Sequence, residues 1–550
     1  MSTFSLADLF EVVVDAVADR EAVVSSERRL SYAQLDERAN RFANHLRATG
    51  IGAGDHVGLQ LLNGTEYVEA MIGCFKVRAV PINVNYRYVE HELGYLYDNA
   101  DLVALVYHRH FGPRIAAVGD GRAGIRRFVV AEDGSDDPEV AGSVGYEDAL
   151  AAADPQRPPA DGRSGDDRYV AYTGGTTGLP KGVVWRHEDV FFAAMGGGAP
   201  MDPEHAVTRP EELAQRVSDV AVVALQTPPL MHVSAQWGAF TALFGGGTVI
   251  FPPRGHFDAA EVWRIVAAEK VNSMTIVGDA MARPLVDALT AAREGGTPYD
   301  VSSLFIIGSG GAILSPTTKA RLTELLPDAI VFDGFGSSET GVIGGGTSTA
   351  GGPVGGPRFQ VDDHTAVLDD DGRPVRPGSG VAGHLAHRGH LPLGYYKDDA
   401  KTLTTFTVVD GVRWALPGDM ATVDPDGTVV LLGRGSVSIN TGGEKVFPEE
   451  VEMALKGHSA VDDAVVVGIP DDRWGERVVA VVGARSDVTL DLDDLDAHCR
   501  TELAGYKVPR EVHVVDAVQR FPSGKPDYRW AREVALRDPS VGASTTGSSP

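Results

Sequence analysis

Between residues 257 and 340 the apolar positions follow two alternating rhythms. Val262, Ile265 and Val266 recur at the spacing of a helix's buried face, and Asp258 stands where a side-chain oxygen can cap the first turn. VNSMTIV then reads as a buried strand, ARPLVDALTAA as a helix and LFIIG as another strand, followed by GSGGAIL. Ser315 with Pro316 supplies a cap and a first helical residue for PTTKARLTELL, and AIVFDGF is the next strand. Strands alternating with helices predict an α/β domain with a largely parallel sheet, and in such sheets ligands gather beyond the carboxyl ends of the strands. That rule alone singles out Gly308–Ala312 and Gly334–Glu339 as candidate site segments.

Beyond residue 434 the pattern changes. A helix (PEEVEMALKG), two strands (DAVVVGI and RVVAVVGA), a helix (LDDLDAHCRTEL) and a short strand (EVHVV) predict a compact α+β unit that begins after GRGS. The expected organisation is a large domain over 1–434, a small domain over 435–537 and a polar tail over 538–550 that ends VGASTTGSSP and is expected to be disordered.

Composition narrows the function classes. With 550 residues, 43% of them hydrophobic, the chain can bury several cores. A net charge of −27 argues against a nucleic-acid groove, which needs a basic footprint, but allows a local basic pocket for a small phosphorylated ligand. Cys74 and Cys499, the only cysteines, lie far apart, so neither a disulfide framework nor a cysteine metal site is expected. The N-terminus has no basic run before its apolar stretch, and no apolar run approaches the roughly 18 residues of a spanning helix. A soluble cytoplasmic protein without a transmembrane segment is the expectation.

The strongest local signal is AYTGGTTGLPKGVVWRHED. Gly174, Gly175 and Gly178 remove side-chain bulk so that backbone N–H groups can approach phosphate oxygens. Thr173, Thr176 and Thr177 add hydroxyls, and Lys181 adds a cation. A Walker A loop would need Gly-Lys-Ser/Thr, whereas Pro180-Lys181-Gly182 stands here.

This segment resembles the phosphate loop of the adenylate-forming superfamily, which comprises acyl-CoA synthetases, luciferases and peptide-synthetase adenylation domains. Its YTGGTTG form, with Gly174 where the family usually has serine, is similar to that of actinobacterial acyl-CoA synthetases acting on long-chain or sterol-side-chain acids. Further motifs follow in the family's order. GSGGA places Gly310, Gly311 and Ala312 along the adenine and acyl pocket. DGFGSSET (Asp333, Gly334, Phe335, Gly336, Ser337, Ser338, Glu339) resembles the Tyr-Gly-x-Thr-Glu motif, so the resemblance implies that Phe335 stacks on adenine and that Glu339, with Thr176, holds Mg²⁺. WALPGDM, with Pro417 in place of threonine, implies that Asp419 binds the ribose hydroxyls, and LLGRGSVSIN implies that Arg434 reaches ribose or phosphate. Ser436 stands at the family's hinge position, Gly443 where pantetheine passes the backbone, and Lys525, in FPSGKPDYRW, where the adenylation lysine stands.

The fold implied is a large N-terminal adenylate-forming α/β domain with mixed, largely parallel sheets and a small mobile α+β C-terminal domain. The activity implied is ATP-dependent conversion of a carboxylic acid to acyl-AMP, then thioesterification with coenzyme A. The small domain would rotate between the two steps, withdrawing Lys525 and presenting Gly443. In PPLMHVSAQWGAF, His232 matches a residue beside the substrate carboxylate. Amino-acid-activating relatives carry an Asp shortly afterwards, whereas Val233, Ser234, Ala235 and Gln236 follow here, so the acid is expected to lack an α-amine. Small residues over 193–199 and 344–346 would open a wide pocket for a long, branched or sterol-derived chain if they line it. The expected partners are thus a small carboxylic acid, ATP and CoA, with Mg²⁺, and a homodimer is compatible with the sequence. Two rivals remain at this point: a fatty acyl-AMP ligase serving a carrier protein, which typically has an insertion absent here, and an inactive nucleotide-binding regulator, against which Lys525, Glu339, Asp419 and Arg434 all count.

Overall fold

The computed structural model describes residues 2–537 except 174–178, 201, 203–204, 218–220, 313, 350–357, 442–443, 472–473, 486–487, 504 and 522–523; for residues 120, 434, 436, 444 and 445 it describes the backbone alone. The phosphate-loop residues Gly174, Gly175, Thr176, Thr177 and Gly178, together with Gly443 and the polar tail, therefore lie outside the described residues, as do the side chains of Arg434 and Ser436.

The α/β expectation holds. A run of parallel strands, Glu21–Val24, Thr248–Ile250, Val223–Gln226, Ser273–Ile276, Ile306–Ser309 and Ile330–Ser337, forms half of a fifteen-stranded sheet. The sheet then turns antiparallel through Gly341–Ser348 and Arg358–Val361 into the strands Val429–Arg434, Asp419–Val423 and Gly383–His387. A second sheet of eight strands is parallel from Arg168–Thr173 through Val80–Asn83, His56–Gln60 and Leu102–His108 to Val144–Gly145. Its other edge is antiparallel, with Lys181–Arg186 paired to Arg168–Thr173. Helices Leu6–Val17, Tyr32–Ala48, Thr65–Lys76 and Val233–Phe244 join one large core between these sheets. Ala259–Glu269, Gly278–Glu294 and Pro316–Leu325 cover the outer face of the parallel run.

Local chemistry sets the helix starts. Asp258 accepts from the backbone N–H groups of Ala260 and Glu261, and Ser315 from that of Thr318, satisfying donors that the first turn leaves unpaired. The C-terminal unit contains the elements read from its sequence and three more. The helices Pro448–Gly457 and Leu492–Glu502, the hairpin Val461–Asp471 and Gly475–Ala484, and Glu511–Val515 follow the sequence pattern. The helix Tyr528–Ala535 and the short strands Ile439–Thr441 and Glu444–Val446, which complete a five-stranded sheet, lie outside it. The apolar runs of that hairpin are nearly continuous because both faces are covered. Val466, Ala480 and Val482 face Val451, Leu455 and Leu495, while Val465, Val479 and Val481 face Ala531 and Val534. Among the described residues no helix is long and apolar enough to cross a membrane.

One strand runs further than its sequence pattern indicates. The strand read through Phe335 continues to Ser337, with Gly334–Ser337 in register with Gly341–Gly345 of the antiparallel neighbour. A new partner strand extends the ladder, so only residues 338–340 form the turn. The same pairing explains the glycines over 344–346, which do not line the cleft. A Cβ on Gly345 would fall 2.2 Å from the Phe332 ring, and one on Gly344 2.8 Å from the Gln360 carbonyl. They are small because the two strands and Phe332 leave no room.

Candidate active site

The carboxyl ends of the parallel strands open into a cleft of about 2480 Å³ between the fifteen-stranded sheet, the hairpin ending at Thr173 and the C-terminal unit. The cleft brings together most of the described candidates: Thr173, His232, Gly310, Gly311, Ala312, Asp333 through Ser338, Asp419 and Lys525. Lys181 and Glu339 adjoin lining residues (Pro180 and Ser338) without lining it themselves.

Thr173 pairs with Lys181 across the antiparallel ladder, so the strands on either side of the glycine-rich segment run side by side. The Lys181 ammonium is bonded to Asp398 Oδ2 at 2.6 Å, which holds it at the hairpin base. Glu339 is half-buried. Its Oε1 accepts from the Tyr395 hydroxyl at 2.6 Å and its Oε2 from Ser338 Oγ at 3.0 Å, leaving lone pairs on both oxygens for a cation. Phe335 packs against Phe359 with ring centroids 5.3 Å apart and presents its other surface to the cleft. Asp333, which motif reading assigns to the nucleotide site, bonds Lys319 Nζ at 2.9 Å; burial and the nearby Asp279 charge raise its pKa despite that partner. Asp419 is buried at the start of its strand, directly across the ladder from Arg434.

His232 caps the helix Val233–Phe244, and its Nε2 is shielded from solvent without a hydrogen-bond partner among the described residues. Burial, and then the charges of Lys525 and Arg87, push its pKa down to about 4. The imidazole is therefore neutral throughout the working range and gains a proton only as pH falls towards that value. We expect His232→Gln to change the rate of acyl transfer without altering the shape of its pH profile between pH 5.5 and 8. An acid limb that disappears in the variant would contradict this.

Lys525 belongs to the C-terminal unit yet faces the large one. Its carbonyl accepts from Phe521 N at 2.8 Å, and Gly524, at φ +76°, turns the loop. A Cβ on Gly524 would lie 3.0 Å from Val277 and 3.5 Å from the Ala312 methyl, so the loop rests on the glycine-rich segment after Ile306–Ser309. Sequence reading missed what holds it. Arg520 makes a bidentate bond to Asp463 at 2.5 and 2.7 Å and donates to the Gly524 carbonyl at 3.0 Å. It also missed Asn83, which donates to the Tyr172 and Met231 carbonyls and ties the end of the Thr173 strand to the turn before His232. Neither residue carries a local signal, since each acts on chain distant in sequence.

From this polar end an apolar arm runs down between the sheet and Val233–Phe244. Alternate residues of three adjacent strands face it (Val222, Ala224 and Gln226; Ser273, Thr275 and Val277; Ile306, Gly308 and Gly310), as a strand's period of two requires. Opposite stand Ser234, Trp237, Gly238, Thr241 and Gly245, one face of the helix. The small residues expected near 193–199 line the cleft on its other side, from Ala193 to Gly198. Gln236 points elsewhere, bonding Tyr169, Tyr67 and the Leu230 carbonyl, so no side chain of the turn after His232 offers a charge for a substrate amine.

Residues 10–396 match the family described as AMP-binding enzyme, and residues 450–525 match AMP-binding enzyme C-terminal domain. The chain belongs to the AMP-binding enzyme family. It is 51% identical to the 3-oxocholest-4-en-26-oate--CoA ligase of Rhodococcus rhodochrous over 96% of this chain and 95% of that one. It is 49% identical to a medium/long-chain-fatty-acid--CoA/3-oxocholest-4-en-26-oate--CoA ligase of Mycolicibacterium smegmatis, over 98% and 97% of the two chains. The anthranilate CoA ligase AuaEII, solved with anthranoyl-AMP, shares its fold at a TM-score of 0.82 and 22% identity, with 97% of each chain covered. The AMP-binding family match spans the hairpin, the parallel strands and Glu339, and the C-terminal match ends at Lys525.

Proposed function

We propose that this AMP-binding enzyme activates a long-chain, branched or sterol-side-chain carboxylic acid as acyl-AMP and transfers the acyl group to coenzyme A, releasing AMP and pyrophosphate. The observation that carries the reading is one cleft joining the end of the phosphate hairpin, Asp419, His232 and Lys525 to a long apolar arm. Identity near 50% to ligases named for such acids supports it and disfavours both carrier-protein delivery and an inactive regulator. We place the working enzyme in the cytoplasm, with domains over 1–434 and 435–537 and a tail over 538–550.

In the first half-reaction the substrate carboxylate attacks the α-phosphorus of ATP and pyrophosphate departs in line, a step that depends on positioning and charge stabilisation. Thr173 and residues 174–178, with Lys181, hold the phosphates. Phe335, with Gly310–Ala312, forms the adenine wall, and Asp419 and Arg434 fix the ribose. The Lys525 ammonium, in the cleft beside His232, meets the negative charge that accumulates between carboxylate and α-phosphate. Glu339 and Thr176 would hold Mg²⁺, which when bound neutralises charge on the phosphate oxygens; a carboxylate with free lone pairs suits so hard a cation. Asp333, bonded to Lys319, ties its strand to the helix Pro316–Leu325 beside the nucleotide site. In the second half-reaction the CoA thiolate attacks the mixed anhydride and AMP leaves, with Gly443 giving the pantetheine arm room along the backbone.

ATP–pyrophosphate exchange over a panel of acids, followed by acyl-CoA detection, tests the reading. Long or sterol-side-chain acids should far outrun acetate and amino acids, and a preference for the latter would overturn the substrate assignment. Glu339→Gln should raise the Mg²⁺ concentration for half-maximal exchange by roughly tenfold or more, the scale of losses at metal sites. Unchanged metal dependence would remove Glu339 from the cation site.

A further inference from the structure

Besides Ser234, Thr241, Ser273 and Thr275, the arm carries a buried polar side chain that the reaction above does not use. Gln226 is the last residue of Val223–Gln226, only 2% exposed, and lines the cleft. Its Oε1 is shielded and has no hydrogen-bond partner, and its Nε2 makes no hydrogen bond among the described residues. Neighbouring buried amides are fully engaged. Gln236 bonds Tyr169, Tyr67 and Leu230, and Asn83 bonds three backbone groups. Leaving a buried amide unpaired is costly, so a carboxamide on this wall calls for a partner that arrives with the ligand.

The helix opposite makes room for it. Gly238 lies in the middle of Val233–Phe244, where glycine weakens a helix relative to alanine. A Cβ there would stand 3.1 Å from both Nε2 and Oε1 of Gln226. The carboxamide thus lies against the bare backbone of the helix at Gly238. Ala224 and Val222 follow on the same strand face, further from His232 and Lys525. Gln226 accordingly faces the acyl carbons nearest the carboxylate, and Ala224 and Val222 face later ones.

We infer that Gln226 is a specificity-determining residue that hydrogen-bonds a hydroxyl or carbonyl oxygen on the carboxyl-proximal carbons of the acyl group, so that acids oxygenated there are preferred substrates. This rests on the ligase reading above and adds a chemical class to it. Nε2 suits either oxygen, since a hydroxyl oxygen and a carbonyl oxygen both accept from an amide N–H.

The test compares full-length wild type with Gln226→Met, a swap of similar volume, on three acids of equal chain length: unsubstituted, 3-hydroxy and terminally hydroxylated. Acyl-CoA formation gives kcat/KM for each pair, and thermal unfolding without ligand gives Tm. Wild type should favour the 3-hydroxy acid. In the variant, kcat/KM for that acid should fall roughly tenfold relative to the unsubstituted one, the scale of one lost hydrogen bond in a buried site. The terminal hydroxyl should behave like the unsubstituted chain. Tm should hold or rise, because no protein partner is lost. A selectivity ratio unchanged within about twofold, an equal loss on all three acids, or a clear fall in Tm each overturns the assignment. The last two would mean that the amide holds the carboxylate or the protein itself. If wild type activates no acid of any kind, the ligase reading fails and takes this inference with it, an outcome distinct from the other three.

Discussion

Lys525→Ala is expected to slow acyl-AMP formation by at least about 100-fold while leaving thioester formation from presynthesised acyl-AMP within about tenfold, the scale of one preorganised charge stabiliser lost from one step. The structure gives this division a geometric basis. The Lys525 loop lies on Val277 and Ala312, close enough for its ammonium to depress the basicity of His232. Residues of the small and the large domain line one cleft, and Lys525 is among them. If the lysine acts in adenylation alone, as proposed, removing its ammonium should spare thiol attack. Pyrophosphate exchange reads the first half and acyl-AMP consumption in the presence of CoA reads the second. Equal loss in both, with circular dichroism unchanged, would refute the assignment of Lys525 to one half-reaction.

Arg520→Met should slow adenylation by roughly 10- to 100-fold, although Arg520 need touch no substrate, because misplacing a catalytic group by about 1 Å costs on that order. Its guanidinium bridges Asp463, on the first strand of the C-terminal hairpin, to the Gly524 carbonyl next to Lys525. Burial opposes ionisation of Asp463, and the Arg520 guanidinium overrides it, holding the carboxyl below the usual range. Removing the arginine leaves that carboxylate unpaired, so Tm should also fall, by the equivalent of about 3 kcal/mol. Asp463→Asn added to Arg520→Met should recover much of the stability and little of the adenylation rate, since the bond to Gly524 is still missing. If rate and stability recover together, Arg520 is structural and does not position the lysine.

What the sequence made legible was local. Asp258 and Ser315 announce helix starts within a few residues, and the helices Pro448–Gly457 and Leu492–Glu502 and the C-terminal hairpin lie where periodicity puts them. The motif residues Gly310, Phe335, Asp419 and Lys525 converge on one cleft although up to 215 residues separate them in the chain. What escaped depends on partners far away. The strand AIVFDGF reads as ending at Phe335 until Gly341–Ser348 pairs with it through Ser337, and the glycines of that neighbour read as pocket wall until Phe332 is seen against them. Tyr395 reaches Glu339, and Arg520 reaches Asp463, across 56 and 57 residues, distances over which no hydrophobic rhythm carries information. Gln226 sits in a strand whose pattern says only that it is buried; the unmet need of its amide is visible only in three dimensions.

The strand Val429–Arg434 belongs to the large sheet and Ile439–Thr441 to the C-terminal one, with residues 435–438 between them. Four residues reach about 14 Å when fully extended. So short a tether leaves the C-terminal unit no slack to drift away and dock again; it can only turn about its point of attachment. The lysine loop is thereby kept within a short radius of the cleft, at high effective concentration. If the unit turns between the proposed half-reactions, lengthening this segment with flexible residues should dilute the loop and slow adenylation without a single active-site atom being changed.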